Sequence, residues 1–212
     1  MLLKESFYIL IETYSDNKLI QEKFWKEIAQ KYETRKRHYH NLEHLENMFL
    51  QLKEVQNEIY DMSAVEFALF YHDIIYKVTR KDNEERSSLF AVEQLKQLQK
   101  AAKTDLQLNN ISTRCEKMIL ATKTHTISDD NDTNLFTDAD LSILGQSWKV
   151  YEKYIQQIRK EYAIYPDFMY NSGRKKVLEH FLTMEYIYKT KLFREKYENQ
   201  AKENLRRELK LF

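Results

Sequence analysis

Histidine and aspartate residues occur in this chain at a spacing that indicates a metal site. His40 and His44 lie four residues apart. His72 and Asp73 are adjacent and begin 28 positions after His44, and Asp140 follows 67 positions after Asp73. Imidazole and carboxylate ligands suit Mn, Fe, Co, Ni or Zn, with Mg as an alternative, better than a dedicated calcium site. Such an ion lowers the pKa of bound water and polarises a phosphoryl oxygen, so the expected chemistry is hydrolysis.

His72 and Asp73 give the more specific signal. They lie in the most apolar segment of the chain, residues 64–78, where an ionised aspartate is costly without a partner. A hydrogen-bonded core pair and a metal site both explain a carboxylate buried beside an imidazole. His40 and His44 would share one face of a helix, although such a pair also occurs on ordinary helix surfaces. Only the combination of all the positions favours the metal site.

The elements that position these residues are predicted to be helices. Two glycines and one proline in 212 residues are few for a sheet protein with many turns. The predicted helical segments are 1–14, 17–33, 42–55, 64–78, 82–102, 113–123, a short helix ending at Gly145, 147–163, 174–188 and 194–210. Residues 64–78 are apolar nearly all round and form the predicted central helix. The predicted fold class is all-α, a single globular bundle of about eight or more helices.

Local capping signals predict where several helices begin and end. The capping-box pairs are Ser63 with Glu66, Asp82 with Glu85, and Thr113 with Glu116. The polar stretch 126–136 is predicted to be a loop, and Asp138 the N-cap of the helix that follows, with Asp140 in its first turn. Gly145 is predicted to end that helix in a left-handed conformation.

The overall composition narrows the range of partners. The 34 basic and 33 acidic residues leave no basic excess for a nucleic-acid backbone. The single cysteine, Cys115, cannot form an internal disulfide and is predicted to be a buried structural thiol. Lys4 and Glu5 interrupt the apolar patch of residues 1–14, which predicts an amphipathic helix rather than a signal peptide. No apolar run approaches the roughly 20 residues of a membrane span. We therefore expect a cytoplasmic protein without membrane association.

The motifs resemble those of the HD superfamily of metal-dependent phosphohydrolases. Its signature is a separated histidine, a His-Asp pair and a distant aspartate on an all-helical fold. Residues 39–44 also resemble the YHNxxH motif of cyclic-nucleotide phosphodiesterases. More closely, residues 20–210 resemble a bacterial group of predicted metal-dependent HD-superfamily phosphohydrolases. The matching stretches are RHYHNLEH, FYHDIIY, NEERSS, TDADLSILG, IRKEYAIYPDFMYNSGR and ENLRREL.

The resemblance implies a role for each residue of the signature. The implied metal ligands are His44, His72, Asp73 and Asp140. His40 is implied to act as a general acid that protonates the leaving oxygen. Asp73 and His40 together are the predicted catalytic residues.

The resemblance also implies an activity and a domain organisation. The implied enzyme is a metal-dependent phosphohydrolase in which metal-bound hydroxide attacks a phosphate ester of a nucleotide or another small phosphorylated metabolite. Residues 1–212 would form one HD-type domain, with N-terminal helices 1–36 and C-terminal helices 147–212 packed on its core. The alternatives are a non-hydrolytic nucleotide-binding or signalling module on the same scaffold, and a diiron oxygenase. A pure binding module has no need of all the signature residues, which favours the hydrolase.

His125 bears on the number of metal ions. It falls where dinuclear enzymes of the superfamily place an additional histidine. Those enzymes usually carry two such residues, whereas this chain has only one between His72 and Asp140. The count favours one tightly bound metal and argues against the diiron oxygenase. A second, weaker metal, or a phosphate or water contact by His125, is the alternative.

Four further residues are candidates for contacts with a substrate: Lys123, Arg159, Arg174 and Glu84. The cations are candidates because a phosphoester needs fixed positive charge, although each could also be an ordinary solvated side chain. Glu84, with its neighbours Asp82 and Glu85, could orient an attacking water. Capping of the next helix is the alternative for these carboxylates.

Overall fold

The fold is all-α, as the sequence predicts. A computed structural model describes residues 2–102 and 108–212, and within them it contains ten α-helices, two short 3-10 helices and no strand. The α-helices are α1 (Leu2–Glu12), α2 (Lys18–Tyr32), α3 (Leu42–Glu54), α4 (Met62–Tyr71), α5 (Asn83–Lys100), α6 (Leu108–Ala121), α7 (Asn131–Asp140), α8 (Trp148–Glu161), α9 (Asp167–Thr183) and α10 (Lys191–Leu209). The 3-10 helices are Gln56–Glu58 and Leu141–Gly145. Residue 1 of the predicted first helix lies outside the described residues.

The chain divides into two units at a point inside α7. The first unit ends at Thr137 and the second begins at Asp138. The one-domain organisation over residues 1–212 stays a prediction.

Helix α4 is the central helix of the first unit, as predicted. It contacts α1, α3, α5 and α6, and its buried residues lie on all sides of the helix: Ala64, Val65, Phe67, Ala68, Leu69, Phe70 and Tyr71. A helix that is apolar all round must be covered on every side to be stable in water. The residue immediately after this helix is His72, so a buried helix leads directly into the His-Asp pair.

The end of α4 differs from the prediction. The predicted helix runs to residue 78, whereas α4 ends at Tyr71. Side chains from the beginning of α5 bind the backbone that follows. Ser87 Oγ accepts a hydrogen bond from the amide of Ile75 and donates to its carbonyl. Asn83 makes the same pair of contacts with Lys77. These bonds replace the helical ones, so the chain turns after His72 instead of continuing as a helix.

Three predicted helix starts are shifted. Asp61, not Ser63, caps α4 by accepting a hydrogen bond from the amide of Ala64. Helix α6 already includes Leu108 before the predicted start at residue 113. The third shift is in α9, which begins at Asp167, directly after Pro166, rather than at residue 174. Proline is tolerated at a helix start because the first amides have no helical partner.

The predicted loop over residues 126–136 is wrong from Asn131 onward, where α7 begins. Asp130 explains the start of this helix, because its Oδ2 accepts hydrogen bonds from both the amide and the hydroxyl of Thr133. This is the geometry of an aspartate N-cap. Asp138 is correspondingly not an N-cap of its own helix but a residue of the last turns of α7.

In the second unit, α10 packs on the 3-10 helix Leu141–Gly145 and on α9, and α8 contacts the same 3-10 helix. Gly145 does not adopt the predicted left-handed conformation. It lies where α10 approaches closely, and a Cβ atom on it would come within 2.5 Å of Tyr197 Cβ. Close packing, not a positive φ angle, therefore explains this glycine.

Asp138 binds the backbone that leads into α10. Its carboxylate accepts hydrogen bonds from the amides of Lys189 and Thr190 and from the Thr190 hydroxyl. Burial raises the pKa of Asp138 above its usual value, although the ammonium of Lys189 and these hydrogen bonds act in the opposite direction. Asp138 is thus a structural residue of the second unit.

Candidate metal centre

In the first unit, His44 lies at the start of one helix and His72 lies directly after the end of another. The side chain of Asn41 accepts hydrogen bonds from the amides of Glu43 and His44, so it caps α3 and fixes His44 in the first turn. His72 lies directly after the C-terminal end of α4, and its amide donates a hydrogen bond to Ala68 O at 2.8 Å. Both imidazoles are buried.

The two imidazoles and the carboxylate of Asp73 converge. His44 Nε2 lies 3.2 Å from His72 Nε2. Asp73 Oδ2 lies 3.3 Å from His72 Nε2 and 4.0 Å from His44 Nε2. The Asp73 side chain is 17% exposed, so the cluster has a limited opening to solvent.

These separations fit three ligands of one ion. Two donors each about 2.1 Å from a metal lie about 3.0–3.4 Å apart when the angle between them is near 90–109°, and about 4.2 Å apart when they face each other. The three measured separations fall within those limits.

The protonation of His72 also suits metal binding. Its Nδ1 lies 3.0 Å from the carbonyl oxygen of Leu69, an oxygen that can only accept, so Nδ1 carries the hydrogen. Nε2 faces His44 and Asp73, and it is the ring nitrogen that is left to bind a metal. A metal-binding histidine is commonly oriented by such a bond from its other ring nitrogen.

The neighbouring histidines favour the ionised form of Asp73. Burial alone would raise the pKa of its carboxyl, but the adjacent His72, together with His40 and His44, lowers it below the usual aspartate range. A carboxylate that keeps its charge while partly buried can balance the charge of a cation.

His40 lies beside the cluster and is half-buried. Its ring stacks on Tyr76 with centroids 4.1 Å apart, and its centroid lies 5.8 Å from that of His44. The stack holds the imidazole in one orientation next to the buried histidines. Its role as a general acid stays a prediction.

Asp140 belongs to the second unit and is the last residue of α7, not a first-turn residue as predicted. It is half-buried. Within its own unit its charge acts on Tyr154, whose pKa is raised mainly by burial and further by this carboxylate. Its role as a metal ligand stays a prediction.

His125 occupies an unusual backbone position. It follows α6 in a turn with a φ of 51°, and its amide donates to Ala121 O at 2.9 Å. A non-glycine residue in the left-handed region is uncommon and is held there by its surroundings. Its contact with a second metal or with phosphate stays a prediction.

Lys123 and Asp82 form ion pairs with their neighbours. Lys123 Nζ is paired with Glu85 and donates to Lys81 O. Asp82 does not cap α5 through its side chain, but pairs with Arg86 at 2.6 Å. Glu84 lies in the first turn of α5 and is half-buried. The substrate contacts proposed for Lys123 and Glu84 stay predictions.

The two arginines of the second unit have structural partners. Arg159 donates to Asp167 and to the carbonyls of Tyr162 and Tyr165, so it spans the turn between α8 and α9. Arg174 forms a bidentate ion pair with the buried carboxylate of Glu208. Any contact of either arginine with phosphate stays a prediction.

Sequence reasoning assigned no role to two residues that contact the His-Asp turn. The guanidinium of Arg37 donates to the carbonyl oxygens of Asp73 and Ile74. The hydroxyl of Tyr32 accepts a hydrogen bond from the amide of Asp73 at 3.2 Å. Arg37 begins the stretch RHYHNLEH, but nothing in the local pattern shows that its partners lie 36 and 37 positions away.

Comparison with protein-family models, curated proteins and solved structures finds no match to this chain. The resemblance to the HD superfamily therefore stays a prediction. Among the described residues we find no helix with both the length and the apolar character needed to cross a membrane.

Proposed function

We propose that this protein is a metal-dependent phosphohydrolase that acts on a nucleotide or another small phosphorylated metabolite. The observation that carries the proposal is the convergence of His44 Nε2, His72 Nε2 and Asp73 Oδ2 at separations of 3.2, 3.3 and 4.0 Å. Two imidazoles and carboxylates suit a divalent transition metal. The proposed ligands are His44, His72 and Asp140, together with Asp73.

The course of helix α7 supports Asp140 as a ligand. The ring of Phe136 contacts the ring of His72 edge-on, with centroids 5.9 Å apart. Asp140 follows Phe136 by four residues in the same continuous helix. Residues four apart lie on one helix face, so Asp140 lies on the same face of α7 as Phe136.

In the proposed mechanism, these residues have different roles. When bound, the metal lowers the pKa of a coordinated water and polarises a phosphoryl oxygen. His72 is oriented by Leu69 O, and Asp73 supplies negative charge beside it. His40, held against Tyr76, carries a proton on its ring and donates it to the leaving oxygen. The burial of His44 and His72 limits competing water.

The proposal is tested with a panel of nucleotides and phosphomonoesters and phosphodiesters in the presence of Mn(II). Release of phosphate or nucleoside and the amount of bound metal are measured for the wild type, Asp73→Ala and His40→Ala. Asp129→Ala is the matched control, because Asp129 is exposed. We expect Asp73→Ala to lose both metal and turnover. His40→Ala should retain metal and lose about 10²–10⁴-fold in kcat, the usual contribution of a general acid.

The outcomes separate the competing functions. Normal hydrolysis by Asp73→Ala would show that the site is wrongly assigned. Nucleotide binding without turnover in the metal-loaded wild type would favour the non-hydrolytic module. A coloured, iron-loaded protein that consumes oxygen would favour the diiron oxygenase.

A further inference from the structure

Arg37 is a buried cation whose hydrogen bonds go to backbone carbonyls. Its Nη1 donates to His40 O at 3.2 Å and to Asp73 O at 2.7 Å, and its Nη2 donates to Ile74 O at 3.0 Å. The residue is only 9% exposed. Within the part of the chain that the structure describes, it forms no ion pair with a carboxylate. A buried arginine without a counter-charge is costly, so its contacts need an explanation.

The carbonyls that it binds belong to two separate parts of the candidate site. One belongs to His40, and the others belong to the turn that follows His72. That turn begins where α4 ends, and the last carbonyls of a helix and those just beyond it have no helical partner. A planar fork with several donors can satisfy several such oxygens at once, whereas an ammonium is a single point charge.

Two aromatic rings lie beside the guanidinium. Arg37 Cζ lies 4.8 Å from the ring centroid of Tyr32 and 5.5 Å from that of Tyr76. The same two tyrosines contact the site directly, since Tyr32 Oη binds the amide of Asp73 and Tyr76 stacks on His40. Arg37 therefore lies at the centre of a small cluster that reaches both His40 and Asp73.

We propose that Arg37 is a positioning residue that joins His40 to the His-Asp turn and so sets the geometry of the candidate site. It does not contact the reacting atoms, and it acts through the backbone of His40, Asp73 and Ile74. This inference rests on the proposed function for its effect on turnover. Its effect on the arrangement of the two histidine-containing segments is independent of that function.

The test compares Arg37→Lys and Arg37→Gln with the wild type. Arg35→Lys is the matched control, because Arg35 is an exposed arginine two positions away. Thermal unfolding first identifies the variants that remain folded. The Co(II) absorption spectrum and the Co(II) dissociation constant then report the metal site, and kcat and KM report turnover.

We expect Arg37→Lys to remain folded but to lose about 10–100-fold in Co(II) affinity or kcat, as is usual when a residue that orients metal ligands is changed. The Co(II) spectrum should change, which a mere loss of stability would not cause in the folded protein. Arg35→Lys should match the wild type. Wild-type affinity, spectrum and kcat in Arg37→Lys would overturn the inference.

A measurement without metal keeps this inference separate from the proposed function. Long-range ¹H–¹⁵N spectra report the ring nitrogens of His40 and His72 in the metal-free protein. We expect both sets of signals to shift or broaden in the Arg37 variants and not in Arg35→Lys. If the wild type binds no metal, the proposed function fails, and the histidine spectra still decide the role of Arg37. Unchanged spectra would refute it.

Discussion

The chain contains two glycines. The structure indicates that a Gly→Ala substitution would destabilise the folded protein at one of them and stabilise it at the other. At Gly145, an added Cβ would lie 2.5 Å from Tyr197 Cβ and 2.8 Å from the carbonyl oxygen of Tyr197. At Gly173, within helix α9, nothing lies within 4 Å of the added atom. The same methyl group therefore meets a packed helix at one position and solvent at the other.

The magnitudes follow from these distances. Carbon atoms pack at about 3.5–4.0 Å, so α10 would have to move by about 1 Å to accept Gly145→Ala. Overpacking of this kind costs about 1–3 kcal/mol. Gly173→Ala should instead stabilise the protein by about 0.5–1 kcal/mol, because alanine loses less backbone entropy in a helix. For a chain of this size, these values correspond to a Tm about 2–12 °C lower for Gly145→Ala and about 1–4 °C higher for Gly173→Ala.

The assay is thermal and urea-induced unfolding of the two variants and the wild type, followed by circular dichroism. Each glycine serves as the control for the other, since the chemical change is identical. A Gly145→Ala variant as stable as the wild type would refute the close approach of Tyr197. A destabilised Gly173→Ala would refute the open surroundings of Gly173.

Two further predictions concern ionisable groups of the first unit. Burial is the main cause that raises the pKa of Glu66 above its usual 4.5, against the effect of Lys53. The folded state therefore holds this proton more tightly than the unfolded state, and the wild type loses stability relative to Glu66→Gln as the pH rises through and above about 4.5. Urea unfolding should show that the free energy of unfolding of Glu66→Gln exceeds that of the wild type by more at about pH 7 than at about pH 4. An equal difference at both pH values would contradict this prediction. Burial also raises the pKa of the Cys115 thiol, so a thiol reagent should label Cys115 only after unfolding in guanidinium, and rapid labelling of the native protein would show that it is accessible.

The helical character of the protein is predictable from its sequence because the signals are local. Apolar residues at helical spacing identify α2 and α3, and α4 is the central helix of the first unit, as its apolar composition indicates. The Asp82 signal predicts the start of α5 to within one residue, although its side chain pairs with Arg86 instead of capping the helix. The pattern of histidine and aspartate residues along the chain also selected His44, His72 and Asp73, which the structure brings together.

The errors occur where distant residues compete with the local signal. The apolar pattern of residues 64–78 favours a continuous helix, but contacts from Arg37, Asn83 and Ser87 bind the backbone after His72 and end it. Glycine is a typical residue at the end of a helix, but the close approach of α10 explains the glycine at position 145. In both cases, the local structure is determined by residues that lie outside the helical turn concerned.

The sequence by itself determined the helical fold class and the types of side chain available for a metal site, because helix periodicity and ligand chemistry depend only on residue type and short-range spacing. Tertiary structure alone decided that His44 Nε2 lies within 4.0 Å of His72 and Asp73 and that Arg37 binds the turn that follows His72. The physical reason is that these contacts join helix ends and turns more than 25 residues apart along the chain, and no interaction within one helix can determine them.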